Sequence, residues 1–135
     1  MSFPEGVCVA VTSLRPLYSD LEHFLSDSSN VLVCRRGRVP IVNKKTGEKK
    51  TFTWRDSPWC NPYKLDEYSL EESLRLYKEH LDETLKEEMT RNQFLLLAQK
   101  KRIGCFCAPG NKCHRDVIIE KLKELCSDTE NHIKN

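Results

Sequence analysis

Gly6-Val7-Cys8-Val9-Ala10-Val11-Thr12 is the stretch whose reading decides the fold class. It is uncharged and β-branched at every other residue, which suits a strand buried on both faces, and it reads as the central strand of a sheet. Ser19 with Glu22 has the form of a capping box, and Leu21, Phe24 and Leu25 supply one apolar face for a short helix. Asn30-Val31-Leu32-Val33-Cys34 then reads as a second buried strand. Strand, helix, strand is the unit that builds parallel sheets, so the expectation is an α/β domain.

Downstream the periodicity changes. Val39 and Ile41, then Phe52 and Trp54, alternate on either side of the polar run Asn43 to Lys50, which predicts a β-hairpin with a basic tip. Ser57 to Tyr63, with Pro58 and Pro62, reads as a rigid loop. Ser69 with Glu72 is a second capping box, and Leu70, Leu74, Tyr77, Leu81 and Leu85 recur at helical spacing. A further helix is expected from about Thr90 to Lys100, then a strand from Arg102 to Ala108, a Pro109-Gly110 turn, and a last helix capped by Asn111. The whole predicts one three-layer α/β sandwich over residues 1–126, with a short, mostly parallel sheet, an inserted β-hairpin and a frayed polar tail at 127–135.

Composition bounds the function. Charged residues make up 31% and hydrophobic residues 39%, too apolar for a disordered chain, and no run is long enough for a bilayer span. The formal net charge of +2 gives no bulk reason to expect tight nucleic-acid binding, although the hairpin lysines and Arg35-Arg36-Gly37-Arg38 form local basic clusters. The amino-terminal stretch has no basic leader, and seven cysteines is an odd number, so reduced thiols in a reducing compartment are expected.

Chemistry concentrates between Arg102 and Leu125. Cys105, Cys107, Cys113 and His114 form a C-x-C-x5-C-H set across a strand end, a turn and a helix start. Residues two apart in a strand share a face, and a helix start favours negative charge and a thiolate. Three readings stand open. The four side chains would bind zinc as a Cys3His set, giving a metal-stapled interaction module. Cys107 or Cys113 would act as a nucleophile or redox thiol with His114. The helix start, joined by arginines such as Arg35, would bind a phosphate.

Trp54-Arg55-Asp56-Ser57-Pro58-Trp59-Cys60-Asn61-Pro62-Tyr63, the helix with Ser73, Tyr77 and Leu81, then Gly104-Cys105-Phe106-Cys107-Ala108-Pro109 and Cys113-His114-Arg115-Asp116 together resemble a family of small domains of unknown function, number four-three-two-six. That family occurs in bacteria, phages and large DNA viruses. The resemblance runs from about Val31 to Leu125 and implies Arg55, Asn61, Pro62, Cys105, Cys107, Pro109, Cys113, His114 and Asp116 as signature positions. Cys60 stands where the family has Gly, and Arg115 where it has a small residue. Cys113-His114-Arg115 also resembles the helix start of a second family of small α/β domains.

The combined expectation is a pocket for a phosphate-bearing, nucleotide-related ligand, with nucleic acid the weaker partner expectation and no membrane. His114 and Asp116 would handle protons or orient the ligand, Arg55 would clamp the anion, and Asn61, Arg35 and Arg115 would bind it. The location would be cytoplasmic or nuclear, inside the host cell if the chain is viral.

Overall fold

A computed structural model describes residues 3–43, 45–106 and 112–134, with side chains described as far as residue 127. In chain order the elements are β1 (Glu5–Cys8), α1 (Val11–Leu14), α2 (Leu21–Ser26), β2 (Asn30–Leu32), β3 (Gly37–Val42), β4 (Lys49–Trp54), α3 (Leu70–Thr84), α4 (Glu88–Leu95), a 3-10 turn (Leu96–Gln99), β5 (Arg102–Cys105) and α5 (His114–Lys134). The protein is a small α/β fold with a three-stranded parallel sheet, ordered β1-β5-β2, and a separate antiparallel hairpin of β3 and β4.

The sheet order corrects the first expectation. β1 ends at Cys8, because Ala10 leads into α1 and leaves Val11 on the surface. The last strand, β5, takes the centre, pairing Ile103 with both Gly6 and Val31. Successive β5 side chains point to opposite faces, so each face has its own core. Ile103 faces α3, α4 and α5 among Val33, Phe94, Ile118 and Leu122. Gly104 faces the other way, towards Val9, Leu21 and Phe24, where Val39, Phe52 and Trp54 of the hairpin also pack. Helices, sheet, and short helices with hairpin thus make three layers.

Two glycines allow this closeness. A Cβ on Gly104 would fall well inside contact with Val9 Cγ1 and 3.2 Å from Phe24 Cε1. One on Gly6 would lie 3.2 Å from both Arg115 Nε and Asp116 Oδ1, so the bare backbone of β1 lets the start of α5 settle against it.

Most local signals behave as their chemistry requires. Ser69 Oγ accepts the Glu72 N–H at 3.2 Å and starts α3, which buries Ser73, Tyr77 and Leu81, while Leu70 stays exposed. The α2 cap is Asp20, whose carboxylate accepts the His23 N–H at 2.8 Å, rather than Ser19. Glu22 instead pairs with Lys50 at 2.7 Å and ties α2 to the hairpin. The strand expected to reach Ala108 stops at Cys105, and the expected helix through Lys100 ends as a 3-10 turn at Gln99. The Pro109-Gly110 turn and the Asn111 cap lie outside the described residues. α5 is helical as far as Lys134, past Ser127, where polarity predicts fraying. No helix among the described residues is long and apolar enough to cross a membrane.

Candidate functional site

Parallel strands end at one edge of a sheet, and there β5 delivers Cys105 while β2 continues into Val33, Cys34 and Arg35. The Val33 N–H donates to Gly104 O at 3.0 Å, which keeps this segment alongside β5 beyond the end of β2. Cys113 stands immediately before α5, and its carbonyl accepts the Asp116 N–H at 2.9 Å. In return the Asp116 carboxylate accepts the Cys113 N–H at 2.8 Å. The second bond is the carboxylate half of a capping box with cysteine in the cap position, and it ties the Cys113 backbone to the first turn of α5.

His114 is buried between these segments and holds the centre of the cluster. Its Nε2 lies 2.6 Å from Val33 O. A carbonyl only accepts, so Nε2 donates to it and Nδ1 is the ring nitrogen left to face the sulfurs. Nδ1 lies 3.4 Å from Cys113 Sγ and 3.8 Å from Cys105 Sγ, and the three donor atoms fall within 4.8 Å of one another. Cys105, Cys113 and His114 are all buried and could hold a metal ion. The edge of the imidazole meets the Tyr77 ring, with centroids 5.4 Å apart. The Tyr77 hydroxyl donates to Trp59 O at 2.6 Å, and its pKa is pushed far up by burial and then by the thiols of Cys60, Cys113 and Cys105.

A cleft of about 490 Å³ opens over this cluster. Cys34, Arg35 and Arg36 line one side, Asn61, Tyr63 and Ser73 another, and Trp54 and Phe106 a third. Arg35 Nη1 donates to Asn61 O at 3.2 Å, joining two walls. Both polar ends of the Asn61 side chain are engaged: Nδ2 donates to Ser73 Oγ of α3 at 3.0 Å, and Oδ1 accepts the Tyr63 N–H of its own loop at 2.9 Å. Trp54 and Phe106 stack with centroids 5.5 Å apart and planes 15° from parallel.

The residues expected in the pocket therefore divide. Cys105, Cys113, His114, Arg35 and Asn61 meet at the cleft. Arg55 is exposed and is not part of the cleft lining, and Arg36 stands there beside Arg35. Arg115 is buried beside Gly6 of β1, with its Nε 4.0 Å from Asp116 Oδ1, and it is not part of the cleft lining. Asp116 does not meet the His114 ring, because its carboxylate is engaged in the cap. Cys107, expected both as a ligand and as a nucleophile, lies outside the described residues. Cys60 is half-buried, its thiol pushed up by burial and then by Asp56, and it is not among the three clustered donors.

Sequence reasoning passed over two contributors. Cys34, read from the sequence only as the last residue of the second strand, lines the cleft; its place at the carboxyl end of that strand is the available signal. The Val33 carbonyl, which sets the tautomer of His114, has no side-chain signature at all.

A family model matches most of the chain. A model described as a domain of unknown function, DUF4326, covers residues 26–124, well over half of the chain, and the protein belongs to that family. The matched span runs from the end of α2 into α5 and includes every residue of the cleft. No curated protein and no solved structure matches the chain.

Proposed function

We propose that this member of the DUF4326 family binds a zinc ion through Cys105, Cys113 and His114, and that the cleft above it receives a phosphate-bearing, nucleotide-related ligand against Arg35 and Arg36. One observation carries the reading: the imidazole is clamped by Val33 O so that Nδ1 faces two sulfurs. Metal-bound histidines are oriented in this way by a carbonyl on the far nitrogen. Zn–S bonds of about 2.3 Å and Zn–N bonds of about 2.0–2.1 Å at tetrahedral angles separate sulfur and nitrogen by roughly 3.6 Å. The two separations in the protein, 3.4 and 3.8 Å, bracket that value. Cys107, by its place in the sequence, is the proposed fourth donor, and with it the set would be a Cys3His site.

Metal and anion, alternatives in the sequence, are compatible here because different residues serve them. Thiolate sulfur and imidazole nitrogen are both donors that suit zinc. Arg35 and Arg36 supply guanidinium forks at the rim, the geometry that suits phosphate. The Cys113 Sγ to His114 Nδ1 contact of 3.4 Å also favours a second reading, a thiol–imidazole pair acting without metal.

Elemental analysis of protein purified without chelator tests the first reading. The expected result is about one zinc per chain, lost in Cys113→Ser and His114→Ala and kept in Cys8→Ser. Folded wild-type protein that stays metal-free after zinc is added would refute it, and rapid alkylation of Cys113 in that protein would favour the second reading. For the ligand, a nucleoside monophosphate should raise the melting temperature of the wild type and have no effect on Arg35→Ala/Arg36→Ala; an equal response from both proteins refutes the clamp.

A further inference from the structure

Charge is distributed unevenly along the chain. Of its 22 Lys and Arg and 20 Asp and Glu, residues 35–55 hold eight basic residues and one acidic residue, Glu48. The rest of the chain, with fourteen basic against nineteen acidic residues, is net negative. Five of the eight fall within the span of the β3–β4 hairpin and Arg35, Arg36 and Arg55 flank it, so a nearly neutral protein carries a cationic segment on a net acidic remainder.

That segment borders a second cavity. A groove of about 1180 Å³ runs between the hairpin and the α1–α2 segment, lined by Arg15, Lys45, Lys49 and Lys50 over an apolar floor that includes Val39 and Ile41. Three acidic residues also line it: Glu22 is engaged by Lys50, Asp20 caps α2, and Glu48 lies near the hairpin turn. Phe106 lines both this groove and the cleft over Cys105 and His114, and it is 39% exposed while stacked on Trp54. Cations beside an exposed ring that leads from one cavity to the next are the features that grip single strands: charge follows the phosphates and rings stack with bases.

We propose that the hairpin groove, Phe106 and the cleft form one track for single-stranded nucleic acid, with the terminal or target nucleotide placed at Arg35 and Arg36. The inference rests on the phosphate-binding reading at those two arginines and extends it from a single group to a polymer. A duplex fits less well, because the exposed Phe106 ring needs an unstacked base. Anionic membrane would match the charge but makes no use of the ring stack.

Fluorescence anisotropy with a labelled poly(dT) oligonucleotide of about twenty nucleotides tests the track, with thymidine monophosphate and phosphatidylserine vesicles as the other arms. The oligonucleotide should bind more tightly than the mononucleotide, and its affinity should fall with salt. Lys45→Ala/Lys49→Ala should lower the log–log salt slope by about 1.4, at roughly 0.7 per phosphate contact on a single strand. Phe106→Ala should weaken binding by roughly tenfold or more, with circular dichroism confirming that each variant is folded. If the mononucleotide binds and the polymer is no tighter, the track is refuted while the clamp survives. If neither binds, both are refuted. Vesicle binding equal to that of the oligonucleotide and indifferent to Phe106→Ala would overturn the nucleic-acid assignment.

Discussion

Replacing Asp116 separates two roles that its position allows. The sequence pairs it with His114 as a proton-handling couple, whereas in the structure its carboxylate accepts the Cys113 N–H at 2.8 Å and sits in the first turn of α5. Asp116→Ala removes a hydrogen bond to the Cys113 N–H worth about 1 kcal/mol and a favourable charge at the positive end of the helix dipole worth about 0.3–1 kcal/mol. The side chain is 35% exposed, so water compensates in part and the expected loss is about 1–1.5 kcal/mol. For a chain of this size that is a fall in melting temperature of roughly 3–6 °C. Asp116→Asn keeps an oxygen that can accept the same N–H and should recover more than half of the loss. Cys113 is the residue held by this cap, so zinc affinity should fall about 10- to 100-fold in the alanine variant, as when other outer-sphere partners are removed, and much less in the asparagine variant. Denaturant unfolding and a competitive zinc chelator read the two effects. An alanine variant as stable as wild type, or an asparagine variant no better than alanine in both assays, would refute the capping role.

Gly104→Ala forces a methyl group into Val9 and Phe24 and should cost about 1–3 kcal/mol, seen as a lower denaturation midpoint with unchanged slope; an unaltered midpoint would show that β5 has room to spare. Ser73→Ala deletes the hydroxyl that donates to Tyr63 O at 2.6 Å and accepts from Asn61, which should cost about 1–3 kcal/mol and loosen the loop that carries Asn61; hydrogen exchange of the Tyr63 amide should rise, and unchanged protection would contradict the link. The Asp27 carboxyl is held below its ordinary value by the Ser29 N–H and then by the Tyr18 hydroxyl. Its pKa is lower folded than unfolded, so its contribution to stability is present above about pH 4 and lost as pH falls through the folded value; Asp27→Asn should flatten the acid limb of the stability profile, and an identical limb would refute this.

The parts of the fold legible in the sequence are those in which a local pattern suffices. The hairpin reads correctly because Val39 and Phe52 face one another across the ladder, and the α3 stripe because Tyr77 and Leu81 recur on one side of a helix. Sheet order is not local. β-branched Val7, Val9 and Val11 mark β1 as the strongest strand, yet the centre belongs to β5, where crowding selects Gly104, a poor strand former by propensity. The same limit applies at the site. Spacing alone groups Cys105, Cys113 and His114, while the choice among arginines depends on direction. Trp54 ends β4 packed on the core and beside the cleft, whereas Arg55, one residue past the strand, is exposed and outside the cleft lining. Arg115 follows His114 by about 100° around α5, and that turn sends it to Gly6 instead of the cleft.

Direction also explains why the site exists where it does. Cys105 ends β5 and Val33 follows β2, and because the two strands are parallel both segments leave the sheet at the same edge. Were β2 antiparallel, Val33 would emerge at the opposite edge, and His114 would keep its sulfurs but lose the carbonyl that fixes its tautomer. The ring could then present either nitrogen, and a soft donor set with an undefined third ligand is a weak metal site. Parallel pairing, Gly104 at its centre and the capped start of α5 thus act jointly: the first aligns the ends, the second brings the layers close, and the third holds Cys113 at its distance from Nδ1.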